Sequence, residues 1–416
     1  MTMDTLYRAA VVLPVTSPPI RDGFVAVRGG EVLGLGPIHD RPAGAFEEID
    51  LGRAILMPGF VNAHTHLELS HLEGAVSAER GFVAWIEEQL RVRAEHSQDE
   101  VPAAIRKAIA GLETRGTVAV ADVSNSLSAV GPLGESGLHA VVFHEILGFD
   151  PSKAASVIDQ TRIARQSARA KLLPSLGSSS PGVRAGEGTR PPRVRIEVAA
   201  HAPHSISKEL FALLMKDEGV RSIHVAESRS EDEFLRDGSG EWRSFLDRRV
   251  GPIPFAAPRS TPVQYLDALG VLLPGLLAVH CVRVDEADAK LLATRSAVAV
   301  LCPRSNEFLG NGVPPLALLL GQGVPLALGT DSLASCPSLD VLEDARLLAR
   351  KFPRVPKAVI LNALTRGGAL ALGFLTLGAI QVGASSRFAL VVFDGAPPSD
   401  PEAFVLHESV SARGIR

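Results

Sequence analysis

The sequence predicts a (β/α)8 TIM-type barrel joined to a small β-domain drawn from both chain ends. Three observations carry this reading. Eight short apolar runs rich in Val, Ala and Ile recur between residues 57 and 331 with helical-looking segments between them, the alternation of a parallel sheet covered by helices. Most of these runs end in a residue able to bind a metal or move a proton, as strands of a barrel do on its active face. The remaining strand-like patterns lie at the two ends of the chain, each too short to hold a core alone. A chain of 416 residues suits one large barrel with an appendage, or two to three domains at roughly 150 residues each.

Taken in order, GFVAVRGGEVLGLGP (23–37) alternates apolar and small residues around Gly29 and Gly30, the pattern of two strands and a tight turn. The eight runs then follow: MPGFVNAHTH (57–66), TVAVADV (117–123), HAVVFHEI (139–146), VRIEVAA (194–200), RSIHVAE (221–227), LLAVHCV (276–282), AVAVLCP (297–303) and PLALGTD (325–331). LPSLGSSSPGVRAGEGTRPPR (173–193) has no hydrophobic period and predicts a mobile loop before the fourth barrel strand. At the far end, IQVGASSRFALVVFD (380–394) and EAFVLHE (402–408) predict strands that pair with the N-terminal ones.

Hydrophobic residues make up 46% and charged residues 21%, an ordinary globular balance that excludes collagen, coiled coils and disordered tails. The 42 basic and 46 acidic residues leave a net charge of −4, with no basic footprint for nucleic acid or an anionic membrane. Cys281, Cys302 and Cys336 are widely spaced and odd in number, which argues against a disulfide framework and for the reducing cytoplasm. Asp4 stands where a signal peptide carries positive charge. The most apolar windows, 314–329 and 367–380, are interrupted short of about 18 apolar residues. Neither secretion nor a membrane span is expected.

His64 and His66 close the first run, Asp122 sits in the second, and His144 with Glu145 in the third. His201 and His204 follow the fourth, His224 and Glu227 close the fifth, His280 the sixth and Asp331 the eighth. A single HxH weighs little, and Asp331 alone would serve as a helix N-cap before Ser332. It is the set, gathered at one end of a barrel, that points to a metal pocket. Neutral imidazoles with one carboxylate suit Zn or Fe(II) and leave a position for water. Glu227 falls near such an ion, although its charged surroundings ESRSEDEF also suit a surface carboxylate. HEILG lacks the second histidine of HExxH, and no zinc-deaminase PCxxC, P-loop, GxGxxG or GxSxG occurs.

PGFVNAHTHLE, HAPHSIS, HVAES, AVHC, CPRSN and GTDSLAS, in this order, resemble the metal-dependent amidohydrolase superfamily, specifically its deaminase branch, over essentially the whole chain. The resemblance implies a (β/α)8 barrel over 57–375 and a β-sandwich composed of 1–56 and 376–416. It makes His64, His66, His224 and Asp331 the ligands of one divalent metal, zinc or else Fe2+. It further makes His280 the histidine that contacts the metal-bound water, Glu227 the proton shuttle, and Asp331 a partner in proton transfer. The fourth run, VRIEVAA, offers no lysine of the kind that binuclear members carboxylate, so a single metal is expected. HTHLELS, continuing into His71, and CPRSN are similar to the 6-amino-6-deoxyfutalosine deaminases of menaquinone biosynthesis, which implies a small nucleoside substrate.

On that reading Glu68 accepts hydrogen bonds from ribose hydroxyls, His204 contacts the purine or sugar, and Arg304 pairs with a substrate carboxylate. For each, the plainer alternative is a group that satisfies its own neighbours. Cys336 stands where many relatives carry asparagine, and Phe388-Ala389-Leu390 where they carry Ala-Asp-Leu. Both departures bear on substrate choice. The rival readings are the same metal centre with another substrate or leaving group, as in methylthioadenosine/S-adenosylhomocysteine deaminases or triazine chlorohydrolases, and a barrel that binds metal or nucleoside without turnover. The sequence leaves oligomeric state open, a homo-oligomer included.

Overall fold

The computed structural model describes residues 4–97, 99–172 and 193–415. The loop expected at 173–193 lies, save for its last residue, outside the described residues.

Strands β1 (Asp4–Val12), β2 (Ile20–Arg28), β3 (Glu31–Pro37), β4 (Phe46–Asp50) and β5 (Ala54–Pro58) open the chain. β2 and β3 form the expected antiparallel hairpin. Its turn is made by Gly29 and Gly30 at φ 56° and 84°, left-handed values that a two-residue hairpin turn requires and glycine adopts without strain. The chain end supplies β14 (Phe388–Val392) and β15 (Ala412–Ile415). β14 runs antiparallel to β5, from Phe388 opposite Pro58 to Val392 opposite Ala54, so the two ends share one seven-stranded ladder in the order β15-β14-β5-β1-β2-β3, with β4 also paired to β1.

One expectation at this end needs correction. EAFVLHE (402–408) is not a strand, since Pro401–Val405 forms a short helix. Asp400 caps it by accepting from Ala403 N at 2.9 Å, and Pro401 occupies the first turn, where its missing N–H costs nothing. The pairing expected of this segment falls instead to β15.

All eight expected barrel strands form. They are β6 (Phe60–Thr65), β7 (Thr117–Ser124), β8 (His139–Ile146), β9 (Val194–Ala200), β10 (Ser222–Val225), β11 (Leu277–His280), β12 (Val298–Leu301) and β13 (Leu326–Leu328). They are parallel and neighbour one another in sequence order. The first and last meet through a Thr65–Asp331 bridge, reinforced by Thr330 N donating to His64 O at 3.0 Å and Asn62 Nδ2 to Thr330 Oγ1 at 2.8 Å. Alternate residues divide the barrel into two layers: Val61, Ala121, Val141, Val279 and Val300 pack in its interior, while Phe60, Val198, Ile223, Ala278 and Leu301 pack outward beneath the helices. Burial on both faces explains why these strands read as unbroken apolar runs. Among the described residues, no helix is long and apolar enough to cross a membrane.

Candidate metal and catalytic site

The strand ends converge as the sequence implies, but two of them depend on unusual backbone. On β11 the alternation that turns Val279 inward turns His280 outward. His280 adopts φ 74°, a left-handed conformation rare for non-glycine residues, and its ring instead joins those of His64 and His224, with centroids 5.8 and 5.4 Å away. Asp331 is likewise left-handed, at φ 62°. Such conformations persist where the surrounding structure enforces them, at about 1–3 kcal/mol each. Gly329 lets β13 approach β6 closely, since a Cβ there would lie 2.7 Å from His64 Cβ and 2.9 Å from its backbone.

His66 Nε2 lies 3.3 Å from His224 Nε2 and 3.5 Å from Asp331 Oδ1, and His64 Nε2 lies 3.6 Å from the same oxygen. A tetrahedral ion with ligand bonds of 2.0–2.1 Å has its donor atoms about 3.4 Å apart, so these spacings, and the grouping of the three histidine donors within 4.8 Å of one another, fit such an ion. Both ring nitrogens of His64 are buried with no hydrogen-bond partner among the described residues, an arrangement that a metal ligand relieves. His224 Nδ1 donates to His201 O at 2.7 Å, which fixes the tautomer and leaves Nε2 with its lone pair toward the other donors. Burial pushes His64 down to about 4. Burial and the neighbouring histidines hold His224 well below its usual value, so both are neutral at pH 7, the form a metal would need. Burial alone would raise Asp331, yet the histidines around it hold its carboxyl well below the usual carboxylate range. Its other oxygen accepts from Ser305 Oγ at 2.6 Å and Ser335 Oγ at 2.9 Å.

Beside these donors, Glu227 Oε2 lies 3.7 Å from His280 Nε2. Burial, then the negative charges of Asp331 and Glu231, raise Glu227 well above the usual carboxylate range, which favours its protonated form. His280 is lowered, chiefly by burial. Its Nδ1 donates to Asn306 Oδ1 at 2.9 Å, leaving Nε2 as an acceptor facing Glu227. A carboxyl biased toward its protonated form and a neutral imidazole thus stand together beside these donor atoms.

These groups open into a cavity of about 450 Å³ that also admits Glu68, Glu145, His201 and His204. The Glu68 carboxylate is heavily engaged. It accepts from Ser124 Oγ at 2.8 Å, Ser126 Oγ at 2.5 Å, Ser126 N at 3.1 Å and Asn125 N at 3.2 Å, and pairs with Arg93 at 3.2 Å. His204 stacks on Trp242 with centroids 4.2 Å apart, and neither of its ring nitrogens has a hydrogen-bond partner among the described residues. Arg304 is not brought to the cavity, which corrects the expectation that it meets a substrate carboxylate. Its guanidinium binds Asp344 Oδ2 at 2.9 Å through Nε and reaches Ser338 and the carbonyl of Asp340. Asp122 stays behind the ligands, accepting from Leu67 N at 2.8 Å. Cys281, Cys302 and Cys336 are free and buried. Cys336 is not among the cavity's lining residues, and its thiol points at Ser338 O, 3.3 Å away.

Of the strand-end candidates that line the cavity, Glu145 and His201 received no individual role from the sequence. Glu145 Oε1 lies 3.6 Å from His224 Nδ1, and its other oxygen accepts from Asn125 Nδ2 at 2.9 Å. His201 holds Ser205 Oγ at 2.7 Å. Their only sequence signal was a place at the end of a strand. His144, beside Glu145, does not line the cavity.

A match to the amidohydrolase family spans residues 55–411. The chain belongs to that family. A 5-methylthioadenosine/S-adenosylhomocysteine deaminase of Pelotomaculum thermopropionicum is 31% identical over 405 residues, 93% of this chain and 84% of the relative. Among solved structures, the aminofutalosine deaminase of Helicobacter pylori in complex with methylthio-coformycin superposes with a TM-score of 0.80 at 22% identity, covering 97% of this chain and 95% of its own. An adenosine deaminase from Xanthomonas campestris with bound zinc gives 0.74 at 25% identity, covering 99% and 90%. This amidohydrolase is therefore a metal-dependent hydrolase of C–N bonds, within the deaminase branch of its family.

Proposed function

We propose that this amidohydrolase hydrolytically deaminates an adenine-type nucleoside, using one zinc ion held by His64, His66, His224 and Asp331. The favoured substrate is 6-amino-6-deoxyfutalosine, converted to futalosine and ammonia in menaquinone biosynthesis. The observation that carries this reading is the pairing of Glu227 with His280, 3.7 Å apart and buried together, beside the converging His64, His66, His224 and Asp331. When bound, the ion supplies Lewis acidity and brings the pKa of water toward about 7.

The residues of the chain account for the rest. Glu227 donates its proton to the ring nitrogen beside the carbon that bears the amine, which makes that carbon electrophilic. His280 Nε2 accepts the proton of the attacking water. A C–O bond forms, the proton taken up by His280 passes to the amine as the C–N bond breaks and ammonia leaves, and the proton of the adduct's hydroxyl returns to Glu227. Asp331, held by two serine hydroxyls, keeps its orientation throughout. His204, whose ring lines the cavity and makes no hydrogen bond among the described residues, with Glu231 3.8 Å from its Nδ1, is placed to contact the purine or sugar. Glu68 serves the nucleoside chiefly by fixing Arg93 and the turn at Ser124–Ser126.

Incubation of zinc-loaded protein with 6-amino-6-deoxyfutalosine, 5′-methylthioadenosine and adenosine, followed by the ultraviolet change from adenine to hypoxanthine, tests this. Turnover of the first is expected at a kcat/KM at least about tenfold above the others. Equal turnover of all three would remove the substrate assignment, and none, with zinc bound, would remove the deaminase reading.

A further inference from the structure

Two helices contribute to the cavity wall, and each turns a single face to it. The helix Phe82–Glu95 contributes Phe82, Trp85, Ile86, Gln89, Leu90 and Arg93, spaced at intervals of three, one, three, one and three, the stripe of one helical face. The helix Gly240–Val250 contributes Trp242, Phe245, Leu246, Arg249 and Val250, with the same spacing. The two run side by side, with Phe82 edge-on to Trp242 at 6.0 Å and Glu87 bonded to Arg248. Between them lies an apolar, aromatic cleft continuous with the catalytic residues.

The charges along this cleft are unevenly matched. Arg93 pairs with Glu68. On the second helix, Arg243 pairs with Asp247 at 2.6 Å and Arg248 with Glu87. Arg249 lines the cavity and is exposed, yet has no carboxylate partner among the described residues. A planar guanidinium beside an apolar wall suits a carboxylate carried on an apolar body.

We propose that the cleft between the helices Phe82–Glu95 and Gly240–Val250 is the specificity site for the 5′ substituent of the nucleoside, and that Arg249 selects substituents with an apolar body and an anionic end. This rests on reading the catalytic site as a nucleoside deaminase. The aromatic residues take up the body of the substituent, and Arg249 reads its terminus. Because the guanidinium is exposed, its contribution falls as salt rises.

The test measures binding and turnover separately. Wild type, Arg249→Met and Arg249→Lys are titrated by calorimetry with 6-amino-6-deoxyfutalosine, whose 5′ group ends in a carboxylate, and with 5′-methylthioadenosine, whose 5′ group is neutral; deamination is assayed on the same samples. Arg249→Met is expected to weaken binding of the carboxylate nucleoside roughly 10- to 100-fold, with the loss in KM rather than kcat. Binding of the neutral nucleoside stays unchanged, and Arg249→Lys recovers part of the loss. Equal affinity of wild type and Arg249→Met for the carboxylate nucleoside, equal losses for both nucleosides, or no binding of the carboxylate nucleoside by wild type each overturns the proposal. Selective binding without ammonia release supports the cleft and overturns the deaminase reading instead.

Discussion

Arg304 commits its guanidinium to Asp344, Ser338 and Asp340, and this decides what its loss does. Asp344 is fully buried. Burial raises its carboxyl to about 6 even with Arg304 opposing the shift. Removing the guanidinium strands that carboxyl, a loss of about 3–5 kcal/mol for a buried pair deprived of one partner. Arg304→Met is therefore expected to lower the urea midpoint substantially while leaving the ratio of kcat/KM between carboxylate-bearing and neutral nucleosides unaltered in the folded fraction. An unchanged midpoint with a selective loss on the carboxylate nucleoside would return Arg304 to the substrate. Sequence could not separate these outcomes, because the partner that claims Arg304 lies 40 positions away on another helix. Arg249 was equally illegible, since its meaning depends on which face of its helix lines the cavity.

Single elements show where local chemistry overrides pattern. The helix Glu286–Thr294 starts with a reciprocal cap: Asp285 Oδ1 accepts from Asp288 N at 2.9 Å, and Asp288 Oδ2 from Asp285 N at 3.4 Å. Asp288 is buried, and burial raises its carboxyl to about 6, against the hydrogen bond from Thr261. The unfolded value is near 3.8, so the folded state binds the proton more tightly. The contribution of Asp288 to stability is thus full below pH 4 and lost as pH rises through 6. Urea midpoints of wild type and Asp288→Asn measured from pH 4.5 to 7.5 should diverge, with the wild type declining more steeply. Parallel curves would mean that Asp288 titrates normally. The barrel strands were legible for the opposite reason, since residues buried on both faces leave no room for polar alternation. EAFVLHE has similar apolar content, but Asp400 and Pro401 before it set a helix start, a signal stronger than a short apolar run.

At the scale of the whole molecule, the eight parallel strands bring to one face residues that the chain spreads from His64 to Asp331. The proposed ligand set could be assembled from the sequence because every member sits at or just past the end of an apolar run and matches a family motif. The geometry around it was not. The left-handed turns at His280 and Asp331, the serine pair on Asp331 and the tautomer set by Asn306 all depend on contacts across the barrel. Together they place Glu227, held well above the usual carboxylate range, His280 and the proposed metal ligands within reach of one cavity, which is the central claim. The most direct test measures ammonia release from 6-amino-6-deoxyfutalosine together with zinc content, on the same preparations of wild type and Glu227→Gln. The account predicts about one zinc per chain in both and a loss of roughly 100-fold or more in kcat for the variant. Undiminished ammonia release by zinc-loaded Glu227→Gln would contradict it.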